Sequence, residues 1–498
     1  MEEALKLFFE TRKKILAYNY AMYVINWDSE TEAPPSCFEY RSKQIGVFAE
    51  EMHKLQTSQI YYQAVSDLFN NKAQLEKDLQ HEITLVKKQI DKINKIPIKD
   101  YIDFQMLLAK SQHIWAQAKE KNDYLLFKPT LSEIITYLRK YINYLQTPEV
   151  KGYDVLLDQF EPGMKMADYD LFFNELKKRL VPFVKKIISL PKDNFLFANK
   201  KYAKNKQKQF CSYLQDVLGF DKRRGLTKES AHPFTTNSGS VDVRFTNHYY
   251  ENNFTSAIFS AIHEMGHAIY EQQCDPKYDG TFISGGASLG LHESQSRFYE
   301  NIVGRHELFW QKHYPVLQKH FPRQLKEVPL STFHRYINKV EASFIRTEAD
   351  ELTYPLHIMV RYEIEKAIFE DNLSLDELEN KWNELFYAYF GLQVSEAKLG
   401  LLQDIHWSGG AFGYFPTYAL GSALSSQILA YLKKDLDFEK IISSSSLNEI
   451  NLWLKEKIHH HASSKYANEI IYSAFKENFN VNYYIDYLIS KYSKIYGL

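Results

Sequence analysis

The sequence FTSAIFSAIHEMGHAIYEQQ, residues 254–273, is the stretch on which the interpretation of the whole chain depends. Its apolar residues recur at intervals of three and four, which is the spacing of one face of an α-helix. Asp275-Pro276 follows and ends the pattern. The stretch therefore predicts a helix with one apolar stripe, formed by Phe254, Ala257, Ile258, Ala261, Ile262 and Ile269.

The centre of this helix reads HEMGH, from His263 to His267. Because residues four apart lie on the same helix face, the two imidazoles can bind one metal ion together. In the HExxH mechanism, the glutamate beside the first histidine takes a proton from a metal-activated water. The pattern predicts a metal site with Glu264 as general base. The alternative interpretation is an ordinary buried helix whose two histidines have structural partners.

A catalytic zinc site needs a third protein ligand, which must come from another segment. After the Gly-rich bend 284–286, a second helical pattern contains His292 and Glu293. A second helix that folds back antiparallel brings a carboxylate near the histidines, so Glu293 is the predicted ligand. His292 is the competing candidate, but adjacent helical residues diverge by about 100°, so His292 and Glu293 cannot both face the metal equally. Glu300 is expected behind the ligands or in solvent.

The composition is that of a globular protein with no electrostatic preference for nucleic acid or membranes. The chain has 498 residues, 45% of them hydrophobic, and a formal net charge of -1. Its three cysteines, Cys37, Cys211 and Cys274, have no paired spacing, which favours a reducing, cytoplasmic location over a disulfide framework. The first twenty residues lack the pattern of a signal peptide, and no stretch reaches the roughly 18 apolar residues of a spanning helix.

No Pro/Gly/Ser-rich linker divides the chain, so the sequence predicts one mainly α-helical domain. Its parts are a helical N-terminal part (about 1–220), a catalytic part (about 221–430) and C-terminal helices (about 431–498). Trp27-Asp28 is interpreted as a helix break, and Pro97 and Pro129 as helix boundaries. The predicted helices cover residues 3–25, 41–68, 73–96, 101–118, 131–145, 168–188, 206–218, 331–369, 374–391, 423–434 and 447–498.

The helical pattern is interrupted between residues 223 and 250. Residues 241–246 alternate strictly between apolar and polar side chains, which predicts a strand. Val241, Val243 and Phe245 should point inward, and Asp242, Arg244 and Thr246 to the other face. A small sheet directly before a metal-binding helix is where a peptidase can align a substrate backbone as an added strand. The alternative is an exposed hairpin.

Two later stretches also carry candidate functional residues. Residues 344–350 are predicted to lie on a long helix, where Arg346 and Asp350 would form an i,i+4 ion pair of about 0.3–0.5 kcal/mol. A Gly- and aromatic-rich loop follows residue 400 and holds His406 and Tyr418. Such a loop can supply hydrogen-bond donors to a developing oxyanion, or it can simply be packed.

The run His459-His460-His461 is not predicted to bind metal. Adjacent histidines diverge on a helix, and no carboxylate accompanies them in the sequence.

The sequence resembles the thermostable carboxypeptidases of the Taq type, a family of HExxH zinc metallocarboxypeptidases. The resemblance covers most of the chain, including Trp27-Asp28. One departure is Ala33-Pro34, where members commonly have Met-Pro; it is remote in sequence from the predicted ligands. Five motifs of the family occur in order: DVRFT at 242–246, HEMGH at 263–267, HESQ at 292–295, IRTEAD at 345–350 and GLLQDIHW at 400–407.

The resemblance implies a nearly all-helical fold with a deep groove, usually in a homodimer. It implies a zinc ion, replaceable by cobalt, held by His263, His267 and Glu293. Glu264 would act as general base and then as proton donor to the leaving amine. The implied substrates are peptides with a free C-terminus, shortened by one residue at a time with broad specificity, although terminal proline is doubtful.

An exopeptidase of this kind must recognise a free α-carboxylate, which a fixed guanidinium binds bidentately. Arg346 is the residue predicted for this role, with Asp350 orienting it or its helix. His406 and Tyr418 are candidates for contacting the scissile carbonyl or its oxyanion. Asp242 and Arg244, within DVRFT, could align the substrate or brace the groove.

Two other functions are compatible with parts of this pattern. A helical zinc oligopeptidase would share the HExxH site but cut internal bonds, without needing a carboxylate anchor. A metal-free binding protein on a peptidase scaffold is disfavoured because the predicted ligands and Glu264 are all present.

Overall fold

The computed structural model describes the whole chain, residues 1–498, and is built mainly of α-helices. In chain order these are α1 (Glu2–Thr31), α2 (Phe38–Gln56), α3 (Gln59–Asn70), α4 (Lys77–Lys95), α5 (Ile98–Lys121), α6 (Tyr124–Leu145), α7 (Asp154–Leu157), α8 (Met166–Glu175), α9 (Val181–Ile188), α10 (Lys204–Leu218), α11 (Phe254–Gln273), α12 (Leu289–Arg297), α13 (Glu307–His320), α14 (Pro322–Leu325), α15 (Leu330–Ile337), α16 (Tyr354–Phe369), α17 (Leu378–Phe390), α18 (Pro416–Asp435), α19 (Phe438–Ile442), α20 (Asn448–Lys457), α21 (Ala467–Phe475) and α22 (Asn482–Tyr496). None of these helices combines the length and apolar composition that a bilayer crossing requires.

A single three-stranded sheet interrupts the helices, made of β1 (Gly225–Glu229), β2 (Thr235–Asn237) and β3 (Val243–Asn247). The central strand β3 pairs in parallel with β1 and antiparallel with β2. Strands β2 and β3 both pack against α11, the helix that carries HEMGH. The prediction of a mainly α fold with a small sheet beside this helix is confirmed.

The predicted strand begins two residues later than expected. Val243 and Phe245 are fully buried, as predicted, but Val241 is 58% exposed and the prediction that it points inward is wrong. The reason is a tight turn, in which the N–H of Ser238 donates to the carbonyl of Asp242 at 3.0 Å. This turn holds Val241 outside the ladder.

The contacts within the chain divide it into two compact units. Unit 1 comprises Met1–Asn94, Phe195–His334 and Ile428–Asn478, and it contains the sheet and helices α11 and α12. Helix α11 is its centre, because apolar residues of this helix are buried around most of its circumference. The strands, α10 and α12 cover it from different sides.

Unit 2 comprises Lys95–Asn194, Arg335–Gln427 and Phe479–Leu498. Its central helix is α16, of whose sixteen residues all but two are buried. Pro355 occupies the first turn of α16, where the missing N–H of proline costs nothing. The interpretation of the chain as one continuous domain stays a prediction.

Several predicted helix boundaries in the first half are wrong. Helix α1 runs through Trp27-Asp28 to Thr31 and stops only before Ala33-Pro34, because the residue before a proline avoids the helical region. The predicted helix 41–68 is two helices, α2 and α3, separated at Thr57-Ser58. Pro129 lies inside α6, since the side chain of Asp123 already caps the helix by accepting the N–H of Leu125 at 3.0 Å.

The predicted helices 331–369 and 447–498 are also interrupted. After α15 ends at Ile337, residues 338–353 form irregular backbone with one 3-10 turn at Arg346–Glu348. The carboxylate of Asp350 accepts the N–H groups of Leu352 and Thr353, the last residues before α16. The C-terminal segment is α20, a 3-10 turn at His459–His461, α21 and α22.

Candidate active site

Helix α11 begins at a side-chain cap and presents its two histidines one turn apart. The Asn253 side chain accepts the N–H of Ser256, which satisfies one of the free donors of the first turn. The ring centroids of His263 and His267 are 4.9 Å apart. Helix α12 is capped by Ser288, the residue before it, whose hydroxyl accepts the N–H of Leu291, and it carries Glu293 in its second turn. Local capping therefore fixes the start of both helices.

The structure brings together the three residues predicted as metal ligands. Glu293 Oε2 lies 3.6 Å from His263 Nε2 and 3.5 Å from His267 Nε2. The possible ligand atoms of the three side chains all lie within 4.8 Å of one another. Two ligands of a tetrahedral zinc ion, each at about 2.1 Å, are themselves about 3.4 Å apart. The two N–O separations therefore fit one ion of this kind.

Gly266, between the two histidines, lets α12 approach α11 closely. A Cβ atom at this position would lie 2.7 Å from the carbonyl oxygen of Gln295 and 2.7 Å from the Cα of Ser296. Both obstacles are backbone atoms, which cannot rotate away as a side chain can. The glycine of HEMGH is thus required by the packing that carries Glu293 to the histidines.

The outer nitrogen of each histidine is already engaged, which leaves both Nε2 atoms facing Glu293. His263 Nδ1 is 3.0 Å from Glu300 Oε2, and His267 Nδ1 is 2.5 Å from His292 Nδ1. His292, the competing ligand candidate, thus lies behind His267, and its own Nε2 is 2.7 Å from Glu271 Oε1. Such partners orient an imidazole and select the nitrogen that binds a metal.

Glu293 is held by residues of its own helix and the turn that follows. Arg297 Nε donates to Glu293 Oε1 at 2.7 Å, and the Ser296 hydroxyl donates to Oε2 at 2.9 Å. Arg297 and Arg305 also donate to Glu300, at 3.0 and 3.1 Å. Glu300 lies in a π-helical segment, Phe298–Val303, a local widening that is frequent at functional sites.

The electrostatics of this cluster keep the carboxylates ionised. Burial opposes ionisation of Glu293, but Arg297 and the two histidines outweigh it and hold the pKa of Glu293 well below its usual range. The pKa of Glu300 is likewise lowered, because Arg297 and His263 outweigh the effect of burial. Burial lowers the pKa of His267 to about 3, so its imidazole is neutral at physiological pH. A neutral imidazole is the form that binds metal.

Glu264 occupies the position next to the first histidine and is held from the sheet. Thr235 of β2 donates its hydroxyl to Glu264 Oε2 at 2.6 Å and lies 3.0 Å from the backbone carbonyl of Glu264. Burial raises the pKa of the Glu264 carboxyl. A raised pKa suits a group that must first take up a proton and then release it. The Thr235 hydroxyl thus binds Oε2 and not Oε1.

Asp242 and Arg244, predicted to align substrate or brace the groove, bind each other. Two parallel hydrogen bonds of 2.7 Å join the guanidinium to the carboxylate. Tyr23 of α1 donates its hydroxyl to Asp242 Oδ1 at 3.1 Å, and Arg244 lies over the rings of Tyr23 and Trp27. These contacts tie the sheet to α1 and explain the role of Trp27 within unit 1.

A second cluster lies within unit 2 and contains Arg346. The motifs IRTEAD and GLLQDIHW meet here, because Arg346 Nη2 and Nε donate to Asp404 Oδ1 at 2.8 and 3.0 Å. Arg361 binds the other oxygen of Asp404 at 2.6 Å. The predicted i,i+4 pair of Arg346 with Asp350 is wrong, since Arg346 lies on a 3-10 turn and the Asp350 carboxylate instead accepts the N–H groups of Leu352 and Thr353.

Arg346 is 6% exposed, and its guanidinium packs against an aromatic ring. Its guanidinium lies 5.0 Å from the ring centre of Tyr418 and donates to the hydroxyl of Tyr354 at 3.2 Å. His406 Nε2 lies 3.4 Å from the Tyr418 hydroxyl. Burial and the neighbouring Arg346 lower the pKa of His406 to about 4. His406, Tyr418 and Arg346 are thus neighbours in unit 2.

The histidine run at residues 459–461 is structural at its first position. His459 is fully buried, with its two nitrogens 2.7 and 2.8 Å from the amide oxygens of Gln273 and Gln295. It therefore joins the end of α11 to α12.

The sequence analysis did not identify several residues that contact the predicted site residues. Thr235 and Asp404 make contacts with residues distant in sequence that no spacing reveals. Glu271 and Arg297 had a signal, because each lies four residues after a predicted ligand on the same helix.

Comparison with known proteins identifies the family of the chain. Residues 8–492 match the family model of the carboxypeptidase Taq (M32) metallopeptidases. Carboxypeptidase 1 of Bacillus subtilis is 42% identical over 99% of both chains, and thermostable carboxypeptidase 1 of Pyrococcus furiosus is 34% identical over 98% of both. The crystal structure of the M32 carboxypeptidase from Deinococcus radiodurans superposes with a TM-score of 0.95 over all of both chains, at 29% identity. The chain belongs to the carboxypeptidase Taq (M32) family and is a metallocarboxypeptidase.

Proposed function

We propose that His263, His267 and Glu293 hold one zinc ion, that Glu264 is the general base, and that the chain releases C-terminal residues one at a time. The observation that supports this best is the pair of Nε2–Oε2 separations of 3.6 and 3.5 Å, with both Nδ1 atoms engaged elsewhere. Two imidazoles and a carboxylate form a common ligand set of catalytic zinc. Cobalt, which accepts the same ligands, should replace it.

When bound, the metal would polarise the scissile carbonyl and make water a stronger acid. The protein supplies the proton transfers. Glu264 Oε1 takes the proton of the attacking water, and the same carboxyl delivers it to the nitrogen of the departing amino acid. Thr235 keeps the other oxygen fixed at 2.6 Å, so the carboxylate does not rotate away between the two steps. Burial, which raises the pKa of Glu264, favours the protonated form that the second step needs.

Arg346 is proposed to bind the α-carboxylate of the substrate. Its cluster contains two guanidinium groups, Arg346 and Arg361, but only one carboxylate, Asp404, so it has a net positive charge. Asp404 also fixes the plane of the Arg346 guanidinium before a substrate arrives. A preorganised guanidinium binds a carboxylate more strongly than a mobile one, because less side-chain entropy is lost.

The other predicted substrate contacts have different support. His406 and Tyr418 carry an N–H and an O–H that could donate to the scissile carbonyl or its oxyanion. Asp242 and Arg244 bind each other, which favours bracing of the sheet over direct recognition of substrate. We propose broad side-chain specificity, with terminal proline a poor substrate.

The experiment that tests this function compares two forms of one peptide with a blocked N-terminus. One form has a free C-terminus and the other a C-terminal amide, and both are incubated with metal-loaded protein. Mass spectrometry should show stepwise loss of single residues from the free acid and no cleavage of the amide. Internal cuts in both forms would contradict the proposal and support an oligopeptidase.

We further propose that the protein is a cytoplasmic homodimer organised as one domain. The absence of paired cysteine spacing supports a reducing compartment, and the dimer follows from the resemblance to the family. Light scattering of the purified protein at several concentrations should give twice the mass of the chain. The monomer mass at every concentration would contradict the dimer.

A further inference from the structure

A chain of hydrogen bonds runs outward from the metal-binding position through His267. His267 Nδ1 lies 2.5 Å from His292 Nδ1, and His292 Nε2 lies 2.7 Å from Glu271 Oε1. Glu271 is buried and accepts further hydrogen bonds from the N–H of Gly286 at 3.1 Å and from Asn237 Nδ2 at 2.8 Å, and Cys274 Sγ lies 4.0 Å from its Oε2. The chain therefore ends in a carboxylate whose two oxygens both act as acceptors.

This arrangement fixes which nitrogen of each ring carries a proton. Because Glu271 accepts, His292 must donate from Nε2, which leaves its Nδ1 bare when the ring is neutral. The bare Nδ1 of His292 can only accept, so His267 must carry its proton on Nδ1. The remaining nitrogen of His267, Nε2, is then a lone-pair donor that points toward Glu293. The order of protons set at Glu271 thus makes Nε2 the metal-binding atom.

The packing around His292 leaves little freedom for the ring to turn. A Cβ atom on Gly286 would lie 2.6 Å from His292 Cδ2 and 2.8 Å from the ring of Tyr270. Tyr270 itself packs against His292, with ring centroids 5.2 Å apart. Gly286 therefore leaves the space that the imidazole fills, and the same residue donates its N–H to Glu271.

The other histidine of the pair uses a different arrangement. His263 Nδ1 meets the carboxylate of Glu300 directly, at 3.0 Å. His267 has no carboxylate at its Nδ1 and reaches one only through the ring of His292. Loss of His292 would therefore leave His267 free to exchange its two tautomers and to rotate, whereas His263 would keep its partner.

We propose that His292 is a positioning residue that selects the metal-binding tautomer of His267. Glu271 in turn fixes the tautomer of His292, because it accepts the hydrogen bond from His292 Nε2. This inference rests on the metal site proposed above. It separates the two residues that the HESQ motif places side by side: Glu293 binds the metal, and His292 prepares another ligand to bind it. Outer partners of this type typically change metal affinity by roughly 10- to 100-fold.

The test measures the dissociation constant for Zn²⁺ by competition with a chromophoric chelator at constant pH. His292→Ala should bind Zn²⁺ roughly 10- to 100-fold more weakly than the wild type. His292→Asn places an amide oxygen near the former Nδ1 and should recover most of the affinity. His292→Gln places its amide near the former Nε2, reaches Glu271 but not His267, and should stay as weak as the alanine variant.

Two controls make the outcome decisive. His313→Ala removes another fully buried imidazole, one bonded to Tyr213, and should leave Zn²⁺ affinity unchanged. His263→Ala should abolish tight binding. Wild-type affinity in His292→Ala, or recovery by glutamine and not by asparagine, would overturn the inference while leaving the metal site intact. Wild-type affinity in His263→Ala would overturn the metal site itself. If His292→Ala does not fold, the asparagine and glutamine variants alone decide between these outcomes.

Discussion

Replacing Gly266 by alanine should weaken metal binding even though alanine is the better helix former. A Cβ at this position would lie 2.7 Å from the backbone of α12, at Gln295 and Ser296. An ordinary contact is about 3.4 Å, so α12 must move by roughly 0.7 Å (3.4 minus 2.7) if it takes up the whole clash. Metal ligand distances tolerate only about 0.2 Å. The shift is therefore several times larger than the site can absorb.

The effect on stability involves two opposing contributions. Alanine in place of a helical glycine gains about 1 kcal/mol. Overpacking against a rigid backbone costs typically 1–3 kcal/mol. The free energy of unfolding should thus change little or fall by up to about 2 kcal/mol, which does not prevent folding. Metal affinity is the sensitive quantity, because it depends on the position of Glu293 on α12.

The matched control is Gly46→Ala. Gly46 also lies inside a helix, α2, but a Cβ added there would have no other atom within 4 Å. This control should raise the free energy of unfolding by about 0.5–1 kcal/mol and leave Zn²⁺ affinity unchanged. Urea unfolding and chelator competition measure the two quantities. Unchanged Zn²⁺ affinity in Gly266→Ala, together with a gain in stability equal to that of Gly46→Ala, would refute the packing argument.

Three further predictions concern single side chains. Thr235→Val removes the hydrogen bond to Glu264 without changing the side-chain shape, and it should lower kcat by about 10- to 100-fold. The control Thr235→Ser keeps the hydroxyl and should retain activity. Equal kcat in both variants would contradict the role of the hydroxyl. Arg346→Lys keeps the charge but loses the bidentate geometry. Steady-state kinetics on a peptide with a free C-terminus should therefore show kcat/KM reduced by at least about 10-fold. An unchanged kcat/KM would contradict the proposal that Arg346 binds the substrate α-carboxylate. Burial raises the pKa of Glu365 from 4.5 to about 7, so the stability contributed by its protonated carboxyl is present below pH 4.5 and is lost as the pH rises through 7. Urea unfolding of Glu365→Gln should therefore show a smaller fall in stability across this range than the wild type, and an identical fall would contradict the shift.

The sequence predicted the HEMGH helix and its neighbour well because both signals are local. A helical period over twenty residues leaves few alternatives, and adjacent residues on a helix diverge by about 100°. Those two facts indicated that His292 and Glu293 could not both face the metal position equally. In the structure Glu293 Oε2 lies 3.5 Å from His267 Nε2, and His292 contacts the other nitrogen of that ring.

Contacts between distant segments were beyond the reach of the sequence pattern. The partner of Arg346 is Asp404, 58 residues away, and not Asp350, four residues away. Helical spacing favoured the pair of Arg346 with Asp350, but a 3-10 turn replaces the helix at this point. Pro355 was the sequence signal for the break, because proline is typical of the first turn of a helix and therefore indicates that a helix begins there.

The broken helices share one cause of error. Apolar periodicity can continue across an interruption of the backbone, so the period alone does not mark where one helix ends and the next begins. The break before α16 involves a local polar contact, because the Asp350 carboxylate accepts the N–H groups of Leu352 and Thr353. At Trp27-Asp28 the opposite error occurred, since a break was predicted where helix α1 is continuous. The residue pattern there is also compatible with a turn, but Trp27 lies within the helix and packs beneath Arg244.

The most direct test of the central claim is the rate of peptide hydrolysis by Glu264→Gln. The variant keeps the size of the side chain and an oxygen that can accept the Thr235 hydroxyl, but it cannot take up a proton. Zinc content is measured on the same sample, so that loss of metal is not mistaken for loss of the base. We expect full metal content with release of the C-terminal residue slowed by roughly 10²- to 10⁴-fold. Hydrolysis within a few-fold of the wild-type rate would show that Glu264 is not the general base.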